Sequence, residues 1–558
     1  MSLPNQHKLL AGVFAAALTV TLALTSPATA DNARHHDSDH HGHHRSHEHH
    51  GHHGYHKGHH GLEPRTHFRM QPDGSSGRGA RGARIPNIDS VKDTIATYYG
   101  DTGEGTANMD SSPYISELHR IQSHQRRYLR WAYHRAIRRG EKPALVFDAD
   151  DTTLMTYDME VQAMHFNFDP DLQDVWVQDE RFPATPGMVD FVNDAEDMGY
   201  AVFGLTGRNA DQEEATLGNL DNVGYEPFNA DNFFTEWVDP ADRPDYIECA
   251  EADCSTVEYK AGTRRHIEQD LGYDIVLNVG DQWSDLKGGY ADRTLKLPNP
   301  TYYLPSPNLP GKHEPWLSPR THFTMEPDGS SGMTEGGEGI PNIDSVKSTI
   351  RAYYNATDGL ADKQSSAYKS EVGRLADRWT PRLERTCRRL DRRGQDPAIV
   401  LDADDTTLWT YDMEDAAMGF HFDPELQAVW VQNGLFPATP GMVDLVNTVD
   451  DAGCTIVGLT GRNATQEKAT IANLEDVGYT GFTAENYYTE WVDEGDRPGY
   501  IDCAEGECTR VEYKSQTRAH VEDQGYRIIA NFGDQFSDLL GGHANRAIKL
   551  PNPTYYLP

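Results

Sequence analysis

Basic residues are scarce in this chain: 50 Lys and Arg stand against 87 Asp and Glu, a formal net charge of −37 over 558 residues. That balance excludes general nucleic-acid binding, which relies on cations that neutralise phosphates. It also disfavours anionic membranes and has its plainest explanation in an acidic, soluble surface. Long apolar runs are lacking as well. The one at Leu9–Leu24 follows Lys8 and precedes Ala28-Thr29-Ala30, and it is shorter than the ~20 residues a spanning helix needs. Residues 1–30 therefore read as a secretory signal peptide cleaved after Ala30, giving a secreted protein with no membrane anchor. Cysteines number only six, yet in an exported chain they suggest disulfides. Cys249 and Cys254 enclose four residues, as do Cys503 and Cys508, and each pair reads as a small clip. The competing metal site would need a second pair nearby to complete four ligands. For Cys387 and Cys454 the sequence leaves pairing open.

Histidine is present in excess, in one place: fourteen of the 26 lie between His35 and His60, spaced mostly by small and polar residues. Such a segment has almost nothing to bury and is expected to lack stable structure. Neutral imidazoles bind Zn, Cu or Ni, so the tract could hold several ions weakly. The alternative is a solvated tail that gains positive charge below about pH 6.5.

The chain is too long for one core, and it repeats itself. FDADDTTL at 147–154 returns as LDADDTTL at 401–408. Asp148 and Asp402, Thr206 and Thr460, and Lys260 and Lys514 each lie 254 positions apart, and Asp281 and Asp534 lie 253 apart. Each unit opens with Pro-Arg-Thr-His-Phe, at 64 and 319, and closes with Leu-Pro-Asn-Pro-Thr-Tyr-Tyr-Leu-Pro, at 297–305 and 550–558. The expected organisation is a signal peptide over 1–30, a His-rich segment over 31–63, a domain over 64–305, a linker over 306–319 and a second domain over 320–558.

Within the first unit, Asp89 is placed to cap a helix through Tyr99 that Gly100 ends, and a second helix is predicted over about Pro113–Arg139. Ala144–Phe147, Ala201–Leu205 and Ile275–Val279 are short apolar runs separated by helix-like segments, the pattern of buried parallel strands in an α/β sheet. Each runs into a polar residue: Asp148, Thr206 or Asp281. The carboxyl ends of such strands are where ligands bind in open α/β sheets. The insert between the first two motifs carries Tyr157, His165, Phe166, Phe168, Trp176 and Phe182. These could stack on an aromatic leaving group, but read better as the core of a small cap.

Asp148 and Asp150, two apart at a strand end, can divide nucleophile or metal ligand from proton transfer. Thr206-Gly207-Arg208 adds a hydroxyl and backbone donors, Lys260 a cation, and Asp281 and Asp285 carboxylates for a hard metal ion. With these four motifs the chain resembles the haloacid dehalogenase superfamily of phosphohydrolases. Gly280-Asp281-Gln282-Trp283-Ser284-Asp285-Leu286 and Lys296-Leu297-Pro298-Asn299-Pro300-Thr301-Tyr302-Tyr303 narrow the resemblance to secreted class B/C-type acid phosphatases and plant vegetative storage proteins. It implies two tandem Rossmann-like domains, each a parallel sheet flanked by helices with a small helical cap, and an Mg²⁺-dependent phosphomonoesterase working on small phosphomonoesters. Asp148 and Asp402 would be nucleophiles, Asp150 and Asp404 the acid/bases, and Thr206, Lys260, Thr460 and Lys514 the phosphate ligands. Mg²⁺ would take Asp148, the Asp150 carbonyl and Asp281, and in the second unit Asp402, Asp404 and Asp534. Asp285 and Asp538 would steady the metal shell or the lysine. Two alternatives accompany this reading: a phosphotransferase using the same residues, and a secreted metal-binding or storage protein whose working part is the His tract. Deleting residues 35–60 separates the last from the others: phosphatase activity is expected to survive while binding of Zn, Cu or Ni, followed by equilibrium dialysis, falls.

Overall fold

Short runs without a polar residue are buried on both faces, and each half of the chain builds its sheet from them. The computed structural model describes residues 77–78, 84–251, 253–306, 309, 332, 339–504 and 506–557. The expected leader, the His-rich segment with its transition-metal sites, most of the linker and the opening residues of both units lie outside them. In the first half, β1 (Pro143–Phe147), β2 (Ala201–Asn209), β3 (Phe233–Glu236), β4 (Asp274–Gly280) and β5 (Thr294–Lys296) pair in the order β3-β2-β1-β4-β5, all parallel. In the second, β6 (Asp396–Leu401), β7 (Thr455–Asn463), β8 (Tyr487–Glu490), β9 (Tyr526–Gly533) and β10 (Ala547–Lys549) repeat that order as β8-β7-β6-β9-β10. Strands β1, β2 and β4 contain the three predicted runs. The short β3 and β5 carry no comparable run of their own, and they pair at the sheet edges.

Helices cover both faces of each sheet. One face of each has a core of its own, around Val146, Phe203 and Ile275 in the first half and Val400, Val457 and Ile528 in the second. The other faces share a single hydrophobic cluster that runs from Ile85 through Tyr99, Phe147 and Phe191 to Tyr354, Trp379 and Phe532. Within the insert, Tyr157, Phe166 and Phe182 are buried, and Trp176 packs against that cluster as expected of a cap core, while His165 and Phe168 stay exposed. All three cysteine pairs are bridged: Cys249–Cys254, Cys503–Cys508 and Cys387–Cys454. The last ties the helix Ala367–Asp391 to the residue just before β7 across a 67-residue separation.

The helix Ile88–Tyr99 ends at Gly100 in the left-handed conformation as expected, but its cap is Asn87, not Asp89. Asn87 reaches the free N–H groups of Asp89 and Ser90, and Asp89 falls inside the first turn. Asn87 is fully buried because its amide also donates to the carbonyls of Asn552 and Tyr555, in the closing segment of the other half. Ile88 N–H donates to Pro553 O, and Tyr556 N–H donates to Asp89. The second half returns the arrangement: Asn342 caps Ile343–Tyr354 and donates to Asn299 O and Tyr302 O, Ile343 N–H donates to Pro300 O, and Tyr303 N–H donates to Asp344. The His165 and His421 rings, one from each half, also stack at 3.7 Å. The halves thus pack as a pseudo-symmetric pair.

Asn342→Ala removes both the cap and two cross-half hydrogen bonds. We expect a loss of about 2–4 kcal/mol, read as a lowered Tm. Asn342→Ser restores only the cap and should fall between wild type and Ala; equal losses for the two variants would mean that the cross-half bonds contribute nothing.

Candidate active site

The ends of β1, β2 and β4 lie side by side, and the chain delivers a polar residue from each. Asp148 N–H donates to Val279 O at 3.1 Å, fastening the end of β1 to β4. The following loop is tight: the N–H groups of Thr152, Thr153 and Leu154 all turn back to the Ala149 carbonyl. Asp151 sits at a φ of 47°, a left-handed conformation that Asp adopts more readily than most residues. Its carboxylate holds the loop by accepting from Thr156 N–H at 3.0 Å and the Thr156 hydroxyl at 2.5 Å.

This turn separates the two carboxylates of the Asp-x-Asp pair. Asp148 Oδ1 accepts from Lys260 Nζ at 2.8 Å, and the same ammonium donates to Asp285 at 2.5 Å. Asp150 is gripped through both oxygens by the Arg208 guanidinium, at 3.1 and 2.6 Å. Lys260 stands in the first turns of the helix Thr256–Gln269, which Ser255 and Glu258 close with a capping box. Asp285 gives its other oxygen to Gln282 N–H at 2.8 Å. Gly280 lets it approach, since a Cβ there would lie 2.3 Å from that of Asp285. Asp281 accepts from Gln282 Nε2 at 2.7 Å and Asn299 Nδ2 at 2.8 Å. Thr206 is fully buried on β2, its hydroxyl accepting from Arg208 N–H.

The second half repeats each contact. Lys514 binds Asp402 at 2.9 Å and also Asp538, and Arg462 grips Asp404 at 3.1 and 2.5 Å. Asn552 and Gln535 hold Asp534 at 2.9 and 2.7 Å, and Thr460 accepts from Arg462 N–H. All sixteen residues singled out from the sequence are described, and the twelve that are not cysteines assemble into two clusters at the strand ends. Sequence reasoning missed the grip of Arg208 and Arg462 on the second aspartates, although both arginines stand in the Thr-Gly-Arg repeat. It also missed the part played by Asn299 and Asn552, whose Leu-Pro-Asn-Pro repeat had served only to mark unit boundaries and to narrow the family resemblance. Asn299 bridges Asp281 and Asp151, the latter at 3.1 Å.

Burial sets the titration of these groups. Asp148 and Asp402 are held well above the usual carboxylate range by desolvation, which the nearby lysine opposes and neighbouring carboxylates reinforce. Desolvation likewise pushes Asp281 up to about 6, and Asp151, Asp405 and Asp534 up to about 7. Lys260 and Lys514 are raised because, despite burial, each faces two carboxylates.

Two strand-end carboxylates in different electrostatic settings, buried Asp148 on a lysine shared with Asp285 and partly exposed Asp150 on an arginine, occur twice in one chain. The sequence matches the family described as HAD superfamily, subfamily IIIB (Acid phosphatase) over residues 101–305 and again over 351–558. The chain belongs to this family. It is 31% identical over 193 residues to Acid phosphatase 1 of Solanum lycopersicum, covering 34% of this chain and 69% of that one. It is 36% identical over 138 residues to the Stem 28 kDa glycoprotein of Glycine max, covering 24% of this chain and only half of that protein. Among solved structures, the class C acid phosphatase from Bacillus anthracis with tungstate bound covers 35% of this chain and 81% of its own, at 22% identity and a TM-score of 0.27.

HAD acid phosphatases generally use a divalent metal, and the donor set here fits one. Oxygens of Asp148, Asp281 and Asp285 lie within 4.8 Å of one another, as do those of Asp402, Asp534 and Asp538, and all six residues are buried. Clustered carboxylate oxygens suit a hard cation.

A carboxylate whose folded-state pKa is raised keeps its proton while the unfolded chain has already lost its own. Its stabilising contribution is complete below about pH 4 and is lost as pH rises through about 6 to 7, where Asp281, Asp151, Asp405 and Asp534 titrate. Without metal, Tm should therefore fall between pH 5 and 7.5, and a divalent cation should raise it clearly at pH 7.5 but little at pH 5. A cation effect equal at both values would show that these carboxylates do not form the binding site.

Proposed function

We propose that the protein is a secreted, Mg²⁺-dependent phosphomonoesterase with two active sites, each working through an aspartyl-phosphate. The observation that carries this reading is the division of labour at each strand end: Asp148 at 2.8 Å from Lys260, Asp150 held apart on Arg208, and the same pairs at Asp402 and Asp404. Family membership supports the reaction class. The three disulfides support export, and with it removal of the 1–30 leader, and the two family-matched segments, 101–305 and 351–558, support a layout of domains over 64–305 and 320–558.

In the proposed reaction a phosphoryl group sits over Asp148, its oxygens held by Lys260, Thr206 and the backbone donors of the loop. Asp148, the Asp150 carbonyl and Asp281 would hold Mg²⁺, which would supply charge neutralisation for those oxygens. Asp148 attacks phosphorus in line with the leaving alcohol, whose bond to phosphorus breaks as Asp150 gives its oxygen a proton. Asp150, now a carboxylate, takes a proton from water as that water attacks the aspartyl-phosphate. Inorganic phosphate departs and Asp148 is regenerated. Arg208 has a defined part in this cycle: it grips the carboxylate of Asp150 and must release one oxygen before that oxygen can carry a proton. Asp402, Asp404, Thr460, Lys514, Arg462 and Asp534 repeat these roles.

With p-nitrophenyl phosphate, Asp148→Asn and Asp402→Asn should each remove one site's share of turnover, and the double variant should lose essentially all of it. EDTA should do the same reversibly. Asp150→Asn in the Asp402→Asn chain should lower kcat by about 10²–10⁴-fold, the usual contribution of a general acid/base. Full activity in the double variant would refute the nucleophile assignment.

A further inference from the structure

The second site opens into a cleft of about 260 Å³. Beyond Asp402, Asp404 and Lys514 its walls include Asp89, Met413, Glu414, Phe422, Gln427 and Tyr555. Asp89 belongs to the other half of the chain. Nearly every charged group on these walls has a protein partner: Lys514 has Asp402 and Asp538, Arg462 has Asp404, Arg510 has Glu490 and the Gly461 carbonyl, and Asp89 has Lys92 and Tyr556 N–H. Glu414 is different. It is 4% exposed, yet its carboxylate accepts no hydrogen bond from any described residue. Burial and the carboxylates of Asp405, Asp89 and Asp404 hold its carboxyl well above the usual range, an unfavourable setting that a cation entering the cleft would relieve; Lys92 opposes them but is already engaged by Asp89 and by the Phe420 carbonyl.

A carboxylate enclosed by protein but lining a cleft, with no described residue donating to it, is placed to accept from a molecule that enters the cleft. Glu414 stands on a π-helical turn, Met413–Ala417, a distortion frequent at functional sites. The first half has the same turn, Met159–Ala163, with Glu160 likewise 4% exposed among Asp151, Asp344, Lys347 and Asp150. Neighbouring positions differ between the halves, Val161 against Asp415 and His165 against Gly419, while the glutamate is the same.

We propose that Glu414, and Glu160 in the first site, form a leaving-group subsite that accepts a hydrogen bond from the alcohol portion of the phosphomonoester. Met413 and Phe422 provide an apolar wall for its carbon chain. Asp89, reaching in from the other half, adds to the negative potential. The favoured substrates are monophosphates of amino alcohols and polyols, and the disfavoured ones carry a second anionic group. This inference rests on the phosphomonoesterase reading above.

The test uses the full-length Asp148→Asn chain, in which only the second site works, and three esters of equal size: phosphoethanolamine, 2-hydroxyethyl phosphate and 2-phosphoglycolate, with phenyl phosphate as an uncharged reference. The expected order of kcat/KM is ammonium, hydroxyl, carboxylate, with about tenfold or more between the extremes and most of it in KM. Glu414→Gln should compress that ratio to less than about threefold, and Glu160→Gln should do so in the Asp402→Asn chain. Equal rates on the three esters, or a ratio that survives both glutamine variants, overturns the subsite while leaving the phosphatase intact. Failure of the wild type to hydrolyse even phenyl phosphate overturns the phosphatase reading, and the subsite falls with it.

Discussion

Several carboxylates cannot share a few ångströms of water-poor space unless their charge is opposed, and each half of this protein is organised around meeting that condition. Asp148, Asp281 and Asp285 converge where β1 and β4 end, all nearly inaccessible to solvent. One ammonium, that of Lys260, answers two of them, and two side-chain amides answer the third. Desolvation still dominates, which is why Asp281 is held near 6 rather than 4. The cluster is therefore under electrostatic load that a bound cation would relieve. A site with this imbalance stabilises a divalent ion and an incoming phosphoryl dianion together better than either alone.

Fusion of two copies adds a second constraint. Each half's first helix takes its N-terminal support from the other half's last segment, so neither helix cap is complete within its own repeat. The arrangement has the character of an isologous pair in which each patch contacts its counterpart's partner, but the continuity of one chain replaces association between molecules. The shared hydrophobic cluster points the same way. The copies could drift at the surface, as with Arg510 where the first half has Thr256, without disturbing the exchanged contacts at Asn87 and Asn342.

Much of this was legible in the sequence because two signals are local. Buried parallel strands announce themselves as short apolar runs, and the residues at their ends follow at once, so the order of residues alone suffices to place Asp148, Thr206 and Asp281. Duplication then doubled every inference. What escaped was non-local. Asn87 beat Asp89 to the cap because its amide can both accept from the helix and donate across the interface, and no periodicity reveals a partner 465 positions away. The edge strands β3 and β5 were invisible for a related reason: half-paired and short, they need no continuous apolar run. Arg208 was overlooked because an arginine just past an apolar run is unremarkable until it is seen holding both oxygens of Asp150.

The nine-residue closing repeat links these two constraints. The side chain of Asn299 donates to Asp281 and Asp151, whereas its backbone carbonyl accepts from Asn342 of the other half. A few residues later, Leu304 N–H holds Gln282, whose amide steadies Asp281, and Tyr303 N–H is held by Asp344. The same few residues thus orient a carboxylate in one site and anchor the opposite half. Closely packed segments held by hydrogen bonds at both ends transmit displacement because they have little slack to absorb it. A shift of the helix Ile343–Tyr354 reaches Asp281 through two hydrogen bonds, and by symmetry a shift of Ile88–Tyr99 reaches Asp534 through Asn552. The geometry of each carboxylate cluster is therefore set partly by the half that does not contain it.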